Sequence, residues 1–204
     1  MRINAEKNQT PSQNKRGGYS MIKFEGFTVP DNQKLIASVM ILKTATAKAK
    51  AALLSGDLTH FRRWFDGTGK NAHLMKVSSI VKEIDDVIRT RPITFVNATG
   101  NAIDRGEKGL CGYVWLMRNR GSGDKFSKMI HVGSGMRILL VPRTHGGKIG
   151  ELAETMYHEL SHKVGGTKDI TYDVNTCKRN ALHAPQQAAL NAENYNRFLG
   201  EYLQ

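Results

Sequence analysis

Residues 158–162 read His-Glu-Leu-Ser-His, and the pair Gly165-Gly166 and then Asp169 follow at once. Histidines four apart stand one turn apart on the same face of a helix, so both imidazoles can reach a single ion at about 2.0–2.1 Å. Glu159 lies roughly 100° round that helix, free to act as general base on water without occupying a coordination position. This part of the chain is therefore predicted to be helical and to end in a sharp reversal. Five residues with three fixed positions also arise by chance, so the pattern needs a third ligand to carry weight.

A longer form of the motif would place another histidine at position 168, which here is Lys168. A protonated ammonium has no lone pair to give a metal. Its neighbour Asp169 does, and the Gly pair supplies the permissive backbone that lets the chain turn back beneath the helix. Asp169 could equally serve as a loop or cap residue, as could Thr167. Glu193 lies far enough beyond His162 to be a rival third ligand.

The run HELSH followed by GTKDITY resembles the aspzincin metalloendopeptidases, whose pattern is HExxH and then GTxDxxYG. His158, Glu159, His162, Gly166, Thr167, Asp169 and Tyr172 all fall in place, with weaker likeness in FRRWFDG at 61–67 and NAENYNRF at 191–198. The resemblance implies a zincin-like fold and one zinc ion per chain held by His158, His162 and Asp169. It also implies Glu159 as the base and Tyr172 as a hydrogen-bond donor to the oxyanion formed during peptide hydrolysis. The alternative for Tyr172 is a core tyrosine with a satisfied hydroxyl. Two departures stand out: Asp173 replaces the closing glycine, and the link from His162 to Asp169 is shorter than in the fungal members. In the Lys-specific members an acid in the segment matching Glu193 lines the pocket for the residue after the cut. That implies a preference for Lys or Arg there, weakened because the second acid of those enzymes is Asn196 here. The plainer reading of Glu193 is an exposed helix acid.

Composition narrows the alternatives. With 204 residues and 40% hydrophobic content the chain can bury one substantial core. Thirty Lys plus Arg against eighteen Asp plus Glu give a net charge of +12, but the basic residues are scattered and form no aromatic-rich stripe. Nucleic-acid binding is therefore not the expected primary role. The competing class is a non-catalytic zincin-like module that uses its basic surface to bind a partner. The longest apolar run, LIASVMIL at 35–42, is too short to span a bilayer. No apolar signal segment follows Met1, which suggests a bacterial effector or toxin domain exported by a specialised machine and matched by a neutralising immunity or inhibitor protein. Its substrate would be a protein or peptide. Cys111 and Cys177 allow at most one disulfide, and the sequence does not say whether they pair.

Residues 1–20 are polar and predict a flexible arm, with a single domain over 21–204. Helices are expected over about 31–90, first from Asp31 as a cap through Leu35, Val39 and Leu42 to Gly56, then at HFRRWF, then along Leu74 to Ile88. Short β-prone runs at 93–96, 112–117, 129–132 and 136–141 predict a small twisted antiparallel sheet over about 92–142. The last of them could offer an edge to an extended peptide. The HExxH helix and C-terminal helices occupy 149–204, with Pro185 opening the last helix. His131, His145 and His183 read as surface or supporting residues. The fold class expected is α+β, zincin-like and mainly helical.

Overall fold

The computed structural model describes residues 22–97, 112–113, 136–140 and 148–203. The expected arm at 1–20, the β-prone run at 129–132, Cys111, His131 and His145 lie outside these residues.

The first helix, α1 (Val29–Ser55), begins three residues earlier than the sequence suggests. Thr28 is the cap: its hydroxyl accepts from the Asp31 backbone N–H at 3.3 Å and donates to the Asp31 carboxylate at 2.6 Å. Asp31 instead places its negative charge in the first turn, against the positive end of the helix dipole. Gly56, at φ 81°, ends the helix in the left-handed conformation. The buried stripe of α1 runs through Leu35, Val39, Leu42, Ala45, Ala49 and Leu53. Helix α2 (Thr59–Trp64) turns Phe61 and Trp64 inward and leaves Arg62 and Arg63 outside. Helix α3 (Leu74–Thr90) buries Val77, Ile80, Val81, Ile84, Val87 and Ile88, matching its apolar period. Lys50 of α1 pairs with the buried Asp85 of α3 at 2.5 Å and ties the two helices together, while Arg89 braces the same carboxylate from within α3 at 2.7 Å.

Among the described residues four strands form one sheet: β1 (Ile22–Glu25), β2 (Ile93–Asn97), β3 (Gly112–Tyr113) and β4 (Met136–Leu140), in the order β1-β2-β4-β3. The expected antiparallel sheet is corrected here to a mixed one. β1 pairs parallel with β2, Ile22 opposite Ile93, and β2 pairs parallel with β4, Ile93 opposite Met136. Only β3 runs antiparallel, against the end of β4. The helices α1 to α3 lie between β1 and β2 in the chain, and a parallel pair needs a long crossover of this kind where an antiparallel pair does not. Ile93, Phe95, Ile138 and Leu140 are buried, and Phe24 stacks on Phe95 with ring centroids 5.7 Å apart.

Helix α4 (Ile149–Gly165) runs through the middle of the molecule between α1, α3 and the last helix. Leu152, Ala153, Met156, Tyr157 and Leu160 are fully buried along it. Helix α5 (Val174–His183) is capped by Asp173, whose carboxylate accepts from the Thr176 N–H at 2.7 Å. That cap gives Asp173 its use in place of a glycine. The C-terminal stretch read as one helix is two, α6 (Pro185–Ala188) and α7 (Ala192–Gly200), parted at 189–191. Among the described residues no helix is long and apolar enough to cross a membrane.

Candidate active site

His158, Glu159 and His162 lie on α4 and are 6%, 3% and 6% exposed. The backbone then reverses in two steps that the glycines permit. At Gly165 an added Cβ would lie 2.8 Å from Ile80 Cδ1, so α4 and α3 approach more closely than a side chain there would allow. At Gly166 the chain takes φ 61°, and its N–H caps the helix on the His162 carbonyl at 3.1 Å. Thr167 is stitched back to the helix by its hydroxyl, 2.8 Å from that of Ser161. Lys168 pairs by its backbone with the α6–α7 junction, donating to the Leu190 carbonyl at 2.7 Å and accepting from Ala192 at 2.9 Å. The side chain of Asn191 holds the next two backbone N–H groups, those of Ile170 and Thr171. Asn191 was not singled out in the sequence, although it opens the NAENYNRF segment.

This path delivers the Asp169 carboxylate to both imidazoles. Asp169 Oδ1 lies 2.9 Å from His158 Nε2 and 3.2 Å from His162 Nε2, and the two Nε2 atoms are 3.2 Å apart. Three donors about 2.0–2.1 Å from a tetrahedral zinc sit about 3.3–3.4 Å from one another. The observed triangle is within a few tenths of an ångström of that spacing, so the donor set fits a zinc ion. Asp169 is the exposed corner, its side chain 46% accessible, and the site is open on that side. The imidazole planes are crossed at 83°. Each ring also has an acceptor near its other nitrogen: the Thr167 carbonyl is 2.9 Å from His162 Nδ1, and Glu193 Oε2 is 3.5 Å from His158 Nδ1. Such partners fix the tautomer that turns Nε2 toward a metal.

The electrostatics follow from packing carboxylates and imidazoles together away from water. Burial lowers the pKa of His158, but Asp169 and Glu193 outweigh it and carry the imidazole up to about 9. Burial raises Glu159 to about 7, against the opposing pull of the two histidines. Among the described residues its buried Oε2 has no hydrogen-bond partner. Burial also works to raise Asp169, yet hydrogen bonds from both imidazoles hold it well below the usual carboxylate range. Tyr172 stacks on His158 with centroids 5.7 Å apart and planes 14° from parallel. It is 59% exposed, not a core tyrosine, and partial burial and the neighbouring Asp169 push its hydroxyl upward. At neutral pH it remains a donor.

Glu193 and Asn196 stand on α7 behind this triangle. Glu193 is 4% exposed rather than a solvated helix acid. It approaches the nitrogen of His158 opposite the one that faces Asp169, so the three donor atoms that converge are those of His158, His162 and Asp169. Asn196 donates to Glu193 Oε2 at 3.1 Å, and Arg197 pairs with Oε1 at 2.7 Å. Cys177 is buried and makes no disulfide among the described residues, and His183 is an exposed residue at the end of α5.

A zinc peptidase from Grifola frondosa superposes with a TM-score of 0.67 over 86% of this chain and 97% of its own, at 19% sequence identity. At that identity the likeness is one of fold. No match was found among curated proteins. The family model for aspzincins, described as lysine-specific metallo-endopeptidase, matches residues 49–200, and the chain belongs to that metallopeptidase family.

Proposed function

We propose that this chain is a zinc-dependent endopeptidase that hydrolyses peptide bonds in proteins, with the ion held by His158, His162 and Asp169. The observation that carries the proposal is the convergence of two Nε2 atoms and one carboxylate oxygen at separations of 2.9, 3.2 and 3.2 Å. Zinc bound there supplies Lewis acidity that polarises a carbonyl and acidifies water. The remaining work belongs to side chains. Glu159 offers a desolvated carboxylate oxygen that no described residue hydrogen-bonds, and it accepts the proton of the attacking water and passes it to the leaving amine. Tyr172, held against the His158 ring and kept protonated, donates to the oxyanion. Asp169 supplies the negative charge of the ligand set, which the two neutral imidazoles cannot.

The family's description suggests specificity for lysine, and the sequence resemblance would place that lysine after the cut. Selecting a cation needs a carboxylate without a cation of its own. Glu193 already has Arg197 at 2.7 Å, and Asn196 brings no charge, so the activity proposed is endopeptidase cleavage without strict lysine selection.

Elemental analysis of purified protein should give one zinc per chain, and a denatured protein mixture should be cut in a way that a chelator abolishes and zinc restores. Asp169→Ala should lose the metal. Stoichiometric zinc with no cleavage of any protein would replace the enzyme by the binding-module reading; no zinc uptake at all would end the proposal.

A further inference from the structure

We infer that Glu193 is a positioning residue for His158, holding the ring so that Nε2 faces the metal triangle, instead of an acid that selects a basic substrate side chain. The inference rests on the zinc site proposed above. Glu193 Oε2 is 3.5 Å from His158 Nδ1, while Nε2 of the same ring faces Asp169 at 2.9 Å and His162 at 3.2 Å. The carboxylate therefore sits on the side of the imidazole away from the three converging donors. It stabilises the Nδ1–H tautomer and makes Nε2 a stronger donor. His162 is served in the same way by the Thr167 carbonyl at 2.9 Å, so both rings are held from behind by an acceptor.

The surroundings of Glu193 are those of a clamp. Its side chain is 5% exposed, which a lone carboxylate could not tolerate. Residues 196 and 197 lie three and four positions along α7, on the same face as Glu193. Arg197 Nη2 takes Oε1 at 2.7 Å and Asn196 Nδ2 takes Oε2 at 3.1 Å. These contacts fix the carboxylate and cancel its charge, leaving little field with which to draw in a substrate ammonium. An imidazole on one side and a guanidinium on the other leave Glu193 with a structural task and no vacancy for lysine.

The test is the zinc dissociation constant of metal-depleted protein, measured by competition with a chromophoric chelator, for wild type and Glu193→Gln. The positioning role predicts roughly 10- to 100-fold weaker zinc binding in the variant. At saturating zinc it also predicts an unchanged ratio of kcat/KM between peptides with Lys and with Ala after the cut. An unchanged zinc constant together with a KM raised only for the Lys peptides would overturn the inference in favour of substrate selection. Should Glu193→Gln fail to fold, as judged by circular dichroism, the double variant Glu193→Gln/Arg197→Gln removes both charges and keeps amides in place. The same loss of zinc affinity is expected there, and its absence counts against the inference. Wild-type protein that binds no zinc would sink the metal site itself, whereas tight wild-type binding matched by the variant would sink this inference alone.

Discussion

Asn191 holds Thr171 with both ends of its side-chain amide: Oδ1 accepts from the Thr171 N–H at 3.3 Å and Nδ2 donates to the Thr171 carbonyl at 3.1 Å. The same Oδ1 takes the N–H of Ile170 at 3.0 Å. Asn191 is fully buried, so its removal leaves a buried gap and unpairs three backbone groups at once. The loop from Lys168 to Thr171 carries Asp169, and Asn191 fixes that loop on its C-terminal side as the glycine turn fixes it on the other. Asn191→Ala is expected to cost about 1–3 kcal/mol of stability through the unsatisfied groups it leaves. It should also weaken zinc binding, because Asp169 then has to be ordered by the ion. Urea denaturation together with zinc titration checks both; unchanged zinc affinity in a folded variant would show that the turn alone sets the carboxylate.

The burial of Glu159 gives a pH signature in the metal-free protein. Its folded pKa is raised to about 7 from 4.5. Between those values the folded chain binds the proton more tightly than the unfolded chain, so this group's contribution to stability falls as pH rises from about 4.5 to 7 and is flat above. Glu159→Gln carries no such charge. Thermal unfolding of metal-depleted protein should therefore show the variant gaining on wild type across that window, by up to roughly 3 kcal/mol. Parallel curves for the two proteins would mean that the carboxylate is solvated. The same variant should retain zinc and cut nothing.

Tyr172 is argued to act on the oxyanion by its hydroxyl, while its ring stacks on His158. Tyr172→Phe keeps the ring and deletes only the donor. The expected result is full zinc occupancy, little change in Tm, and kcat lowered by about a hundred- to a thousand-fold. A loss confined to KM would reassign the hydroxyl to ground-state binding.

The parts of this site that could be read from the sequence are those set by short-range geometry. The four-residue spacing of His158 and His162 and the glycines before Asp169 express themselves within one helical turn and one reversal. The buried face of α3 was legible for the same reason, since its apolar residues keep helical period. What the sequence concealed depends on partners far along the chain. Asn191 looks like an ordinary helix-flanking residue until residues 168–171 come to lie beside it, which also explains the break between α6 and α7. The pairing of Ile22 with Ile93 puts β1 and β2 side by side in parallel across three helices, and nothing local in either run announces it. Glu193 stands out in the sequence as an acid, but that its carboxylate is occupied depends on how Arg197 packs against it.

The reversal after α4 gives a last prediction, which separates two demands that neighbouring glycines meet. Gly166 needs its positive φ of 61°, and nothing lies within 4 Å of where its Cβ would be. Gly165 has no such backbone demand but faces Ile80, with Cδ1 at 2.8 Å and Cγ2 at 3.0 Å from the position of an added Cβ. Gly166→Ala should therefore act through backbone strain alone, at about 1–2 kcal/mol, whatever residue stands at 80. Gly165→Ala acts through overpacking of α4 on α3 and should cost about 1–3 kcal/mol. Replacing Ile80 by Val removes Cδ1, the nearest atom, so Ile80→Val should recover part of the stability lost in Gly165→Ala and none of that lost in Gly166→Ala. A double-mutant cycle read by chemical denaturation measures the difference. Equal coupling of both alanines to position 80 would mean that the close approach of the helices, and not the handedness of the turn, sets the path of the chain toward Asp169.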